Sequence, residues 1–110
     1  TVYIDDKAAV KSSDILMINA DRGYTEIELA SGQKKTCVRK SLKAWEEELG
    51  QYGFMRINDG CIINCRYVRE IEGGTAVIRN TGAKLKVSRR RKTECAAFFR
   101  DYSVKSSRYI

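Results

Sequence analysis

The residues best suited to chemistry in this chain are two clusters of cations, and the chemistry they suit is anion binding. Arg79, Lys84, Lys86, Arg89, Arg90, Arg91 and Lys92 lie in one short stretch without an intervening acid, and Lys34, Lys35, Arg39, Lys40 and Lys43 make a second. Twelve of the 21 Lys and Arg residues therefore sit in two segments of a 110-residue chain that carries 14 Asp and Glu and a net charge of +7. The first 32 residues, by contrast, hold six acids and three bases. Evenly spread charge would say only that the chain dissolves. An asymmetric basic face on a small domain is the electrostatic footprint of a nucleic-acid binder. The Ser88–Lys92 run sharpens that reading, because it opens a predicted C-terminal helix. A cation in a helix's first turn costs about 0.3–1 kcal/mol, whereas a phosphate there is favoured by orphan amides, dipole and arginines together.

Other chemistry is excluded by what is missing. The chain has no histidine, which removes Ser-His-Asp and Cys-His catalysis, His-ligated zinc and an imidazole base near neutral pH. Cys37, Cys61, Cys65 and Cys95 are spaced too widely for a C-x-x-C pair and read as reduced core residues. An enzyme using Cys61 or Cys65 as nucleophile would lack its base. No enzymatic activity, metal or cofactor is expected. No apolar run is long enough to cross a bilayer and no N-terminal stretch has the form of a signal peptide, so a cytoplasmic protein without a membrane partner is expected. Thr1 in place of Met points to a piece of a longer chain.

Short apolar runs punctuated by turn residues must position the cations, and they favour strands. Strands are expected at residues 2–4, 15–18, 24–29, 34–38, 54–57, 61–63, 68–71, 75–79 and 83–87. Ser41 caps a short helix from Leu42 to Leu49, with Leu42, Trp45 and Leu49 on its buried face, Glu46, Glu47 and Glu48 toward water, and Gly50 as its stop. Ser88 caps the second helix, whose apolar face is Cys95, Phe98, Phe99 and Tyr102. Residues 103–110 read as a loose tail. The expected fold is mainly β: one small antiparallel β-sheet domain over residues 1–110, its core at about 12–102, with one short mid-chain helix and a C-terminal helix.

The ordered set of segments resembles the LytTR-type DNA-binding domain. Its first half is Asp14-Ile15-Leu16-Met17-Ile18-Asn19-Ala20-Asp21 with Tyr24-Thr25, then Ser41-Leu42 opening a Leu/Glu-rich helix. Its second half is Phe54-Met55-Arg56-Ile57, Cys61-Ile62-Ile63-Asn64, Val68 to Ile71, Asn80 to Gly82 and Val87-Ser88-Arg89-Arg90. The resemblance spans about residues 12–100. It implies an output domain of a bacterial two-component response regulator, with a receiver or sensor domain upstream and loops entering the DNA major groove. Carried across by position, it places Tyr24, Asn58, Asp59 and Arg90 on three base-facing loops. Arg89, Arg91 and Lys92 are the phosphate-holding neighbours of Arg90; Arg22, Arg56, Lys34, Lys35, Lys40 and Lys43 complete the phosphate contacts. Where many members carry a His, a basic residue and a Ser, this chain has Asn58-Asp59-Gly60. Asp59 then either points away from the duplex or accepts from a cytosine amino group, or the three residues simply make a tight turn.

The expected function is a sequence-specific, double-stranded-DNA-binding transcription regulator, monomeric as an isolated domain and pairing on direct-repeat sites. The alternative is an RNA or single-strand binder on a small β-barrel. That class stacks bases on exposed sheet aromatics, whereas Trp45, Phe54, Phe98 and Phe99 fall at expected core positions.

Overall fold

The computed structural model describes residues 1–5, 8–37 and 40–107. Among the described residues ten short strands form three antiparallel sheets. The central five-stranded sheet contains β3 (Ile15–Asp21), β4 (Tyr24–Leu29), β5 (Lys34–Cys37), β6 (Phe54–Asn58) and β7 (Cys61–Asn64), in the order β5-β4-β3-β7-β6. A ribbon of β1 (Val2–Tyr3) and β2 (Ala9–Val10) and a sheet of β8 (Val68–Glu72), β9 (Thr75–Ile78) and β10 (Lys84–Lys86) complete the strands. Helix α1 spans Leu42–Leu49 and α2 spans Lys92–Ser107. The expected mainly β architecture with two helices is the observed one.

Each face of the central sheet carries its own core, because alternate residues of a strand point to opposite sides. Trp45, Leu42 and Leu49 of α1 pack with Ile18, Ile27, Phe54 and Ile62. On the other face Met55, Ile57, Cys61 and Ile63 meet Val68, Ala76, Ile78, Val87 and Cys95, with Phe98, Phe99 and Tyr102 of α2 against them. β7 is therefore buried at all four positions. Trp45 is fully buried, and its indole Nε1 donates to Thr25 Oγ1 at 2.9 Å, which satisfies the one polar atom it brings inside.

Several boundaries differ from expectation for identifiable reasons. Ser41 caps α1 as expected, accepting from the Ala44 amide at 3.1 Å. Gly50 does not stop the chain's helical course: it is right-handed and enters a 3-10 turn over Gly50–Tyr52. Gly53, at φ 86°, makes the reversal, in the left-handed region that glycine enters without steric cost. Ser88 gives no side-chain cap; a 3-10 turn over Arg89–Arg91 intervenes and α2 begins at Lys92. The segment expected as a loose tail is helical to Ser107, since no Gly or Pro interrupts the helix after Lys92. Residues 108–110 of that tail, and Val38 at the end of the strand expected over 34–38, lie outside the described residues. β2 and the 3-10 turns at Ser12–Asp14 and Cys65–Tyr67 are too short to carry a periodic signal.

Candidate nucleic-acid interface

Three turns meet at one end of the central sheet. In the first, Asp21 pairs with Tyr24 across Arg22 and Gly23. Both central residues have positive φ, 34° for Arg22 and 88° for Gly23, as a two-residue hairpin that follows the strand twist demands. In the second, Asn58 pairs with Cys61 across Asp59 and Gly60. Because β3 pairs with β7 through Asn19 and Cys61, these turns lie side by side. The Ala20 amide donates to the Gly60 carbonyl at 2.9 Å and joins them.

The third turn, Ser88–Arg91, and the β10 strand before it are bound to the second turn and its β6 strand in three places. The Ser88 amide donates to the Ile57 carbonyl at 2.8 Å, and Asn58 Nδ2 donates to the Lys86 carbonyl at 2.8 Å. Arg90 Nη2 lies 3.1 Å from Asp59 Oδ1, with both side chains exposed. The three turns assigned to base contacts thus form one continuous surface.

The individual side chains take distinct settings there. The Tyr24 hydroxyl donates to Asp21 Oδ2 at 2.8 Å. That bond, reinforced by the carboxylate's charge, raises the Tyr24 pKa and keeps the ring a neutral donor. Asn58 spends its amide on the turn, since Oδ1 accepts from the Gly60 amide at 2.8 Å while Nδ2 holds Lys86. Tight-turn chemistry, one of the readings open for Asn58-Asp59-Gly60, is therefore present. Asp59 is held at its backbone and free of the core at its side chain.

The cations expected to meet phosphates divide into groups. Arg22, Lys43, Arg89 and Lys92 are exposed. Lys40 is half-buried, paired with Glu48 and lying 4.1 Å over the Trp45 ring. Lys34 and Lys35 pair with Glu28 and Ile27, toward the opposite end of the sheet from the turns, and Lys34 lies 3.9 Å from Glu26. Arg56 and Arg91 are turned inward, with side chains only 17% and 15% exposed. Arg56 donates from Nη2 to the Asp59 carbonyl at 2.7 Å and from Nε to the Asn58 carbonyl at 3.3 Å. A guanidinium so occupied holds a turn. Lys86 belongs to the basic run, and no sequence signal sets it in the site; its exposed side chain and its carbonyl's bond to Asn58 put it beside the second turn. Glu46, assigned to water, is half-buried and faces both inward arginines. A 3.6-residue period could not find it, because its partners come from other elements.

The four cysteines are buried and unpaired with one another. Burial pushes Cys61 and Cys65 up to about 12 and Cys95 to about 11, from 9.0. A thiol that stays protonated is a poor nucleophile. Alkylation at pH 8 is expected to be slow in the native chain and fast after unfolding; rapid native labelling would contradict this placement. Raised folded-state values also fix the sign of the pH effect. The thiol contribution is intact below pH 9 and is lost as pH climbs toward 11–12, where unfolded thiols ionise and folded ones do not.

A mostly antiparallel β-domain that gathers its exposed chemistry on turns, with its helices packed inward, is the class that fold and site define. The chain belongs to the LytTr DNA-binding domain family, whose model matches residues 6–100. Among solved structures it is similar to the LytTr DNA-binding domain of a protein described as a methyl-accepting/DNA response regulator from Bacillus cereus. The TM-score is 0.68 at 19% identity, covering 81% of this chain and 84% of that one. No curated protein matches the chain. Among the described residues no helix is long and apolar enough to cross a membrane.

Proposed function

We propose that this chain is the sequence-specific, double-stranded-DNA-binding output domain of a bacterial transcriptional response regulator, and that its three joined turns enter the major groove. The observation that carries the reading is their convergence: Asp21–Tyr24, Asn58–Cys61 and Ser88–Arg91 are linked by backbone and side-chain bonds at one sheet end. A two-residue turn between paired strands is slim enough for a groove about 12 Å wide, which also admits a β-ribbon. Tyr24, Asp59 and Arg90 present donor and acceptor atoms outward and are the base-facing residues. Asn58 serves the same contact by fixing the turn. Arg22, Lys43, Lys86, Arg89 and Lys92 meet phosphates, with Lys40 beside them; Arg56 and Arg91 hold the turns. Lys34 and Lys35 contribute long-range attraction only. The domain works in the cytoplasm without enzymatic activity, is a monomer when isolated, and pairs on direct repeats under an upstream signal domain.

The single-strand alternative needs aromatic platforms within the basic surface. Among the described residues the exposed large aromatics are Tyr3, on the β1–β2 ribbon, and Tyr52, on the turn before β6, and neither belongs to the three turns. Competition decides between the two: unlabelled duplex is expected to displace a bound labelled duplex at far lower concentration than either of its single strands or the matching RNA. Displacement by single strands at equal or lower concentration would transfer the function to the alternative.

A further inference from the structure

One acidic side chain touches both inward arginines and carries an inference beyond the contacts themselves. Glu46 Oε1 lies 3.5 Å from Arg56 Nη1, and Glu46 Oε2 lies 3.6 Å from Arg91 Nη1. Each oxygen thus faces a different guanidinium. Arg56 in turn holds the backbone of the second turn through the Asp59 and Asn58 carbonyls. Arg91 closes the 3-10 turn that displays Arg90. A carboxylate on α1 therefore links the frame of the 58–60 turn to that of the 88–91 turn, although neither is its neighbour in sequence.

We propose that Glu46 is a positioning residue that sets the spacing of these two turns and thereby the selectivity of binding, without touching DNA itself. This rests on the reading of the turns as base-reading elements. The partial burial of all three side chains gives the link more weight than an exposed pair, which contributes little. Fixing recognition groups before the ligand arrives spares the ordering cost of binding.

Electrostatics alone and positioning predict opposite signs for one substitution. Glu46→Gln removes a negative charge from a phosphate-binding domain, so a pure charge effect tightens every duplex. Loss of positioning weakens the preferred duplex and spares scrambled ones. Glu47→Gln, one residue along α1 and exposed, makes the same charge change without the link.

The test measures, by fluorescence anisotropy, affinities of wild type, Glu46→Gln and Glu47→Gln for a duplex selected by the wild type and for its scrambled counterpart. Amide hydrogen exchange is followed in parallel at residues 58–60 and 88–91. Glu46→Gln is expected to lower the preferred-to-scrambled ratio roughly five- to tenfold and to speed exchange in both turns, while Glu47→Gln keeps the ratio and the protection. Glu46→Asp retains the charge but cannot reach both arginines, and has to lose the ratio too; it carries the comparison should Glu46→Gln fail to fold. Retention of the ratio in the Glu46 variants overturns the proposal. If the wild type shows no duplex preference, the DNA reading fails, and the exchange measurement still reports whether Glu46 braces the turns.

Discussion

Raising monovalent salt from about 50 to about 200 mM is expected to weaken duplex binding roughly 500-fold, a slope near −4.5 in log K against log salt. The value follows from about five phosphates neutralised, each releasing condensed counterions. Arg22, Lys43, Lys86, Arg89 and Lys92 are exposed and belong to the turn end or the segments that reach it. Lys40 adds less, because Glu48 already offsets its charge. Lys34 and Lys35, set toward the other end of the sheet, act over a distance that about 10 Å of screening at 0.1 M salt curtails. A slope near zero would show that the basic surface does not meet the phosphate backbone. A slope steepened to about −6 would show that the two far lysines are contacts as well.

The second large effect separates reading from holding. Arg90→Ala is expected to cost about 1–3 kcal/mol on the preferred site and to relax preference at one base position. A guanidinium fork fits the paired O6 and N7 acceptors of guanine, and an aliphatic side chain does not. In the free domain Arg90 is held 3.1 Å from Asp59, but with side chains 74% and 83% exposed that pair is readily exchanged for a base. With Arg90 so engaged, the proposed reading expects Asp59 to accept from a cytosine amino group. Lys92→Ala is expected to weaken all duplexes alike and to flatten the salt slope by about one. Binding isotherms on preferred and scrambled duplexes distinguish the two. Equal losses on both for Arg90→Ala would make Arg90 a phosphate contact only.

The elements that bury apolar residues were legible because burial imposes a period. Leu42, Trp45 and Leu49 mark one face of α1, and Ser41 marks its start. The turns were legible as Asp21-Arg22-Gly23 and Asn58-Asp59-Gly60 from their Asp, Asn and Gly, although the positive φ at Arg22 is one its residue type disfavours. What no local pattern holds is how distant segments meet. The bond from Asn58 to the Lys86 carbonyl spans 28 residues, and the Asp59–Arg90 pair spans 31. For the same reason Arg56 and Arg91 read as surface cations, although packing turns both inward onto Glu46. The arginine run was expected inside the helix that follows it. It forms a separate 3-10 turn, which leaves Arg89 and Arg90 exposed ahead of α2.

Selection of bound duplexes from a random pool by the isolated domain bears most directly on whether these three turns read DNA sequence. Repeated rounds are expected to enrich a short motif bound as duplex in preference to its separate strands, with at least one guanine whose enrichment disappears when the selection is repeated with Arg90→Ala. A pool that stays random through the rounds, or a motif that Arg90→Ala selects unchanged, would contradict base reading by this surface.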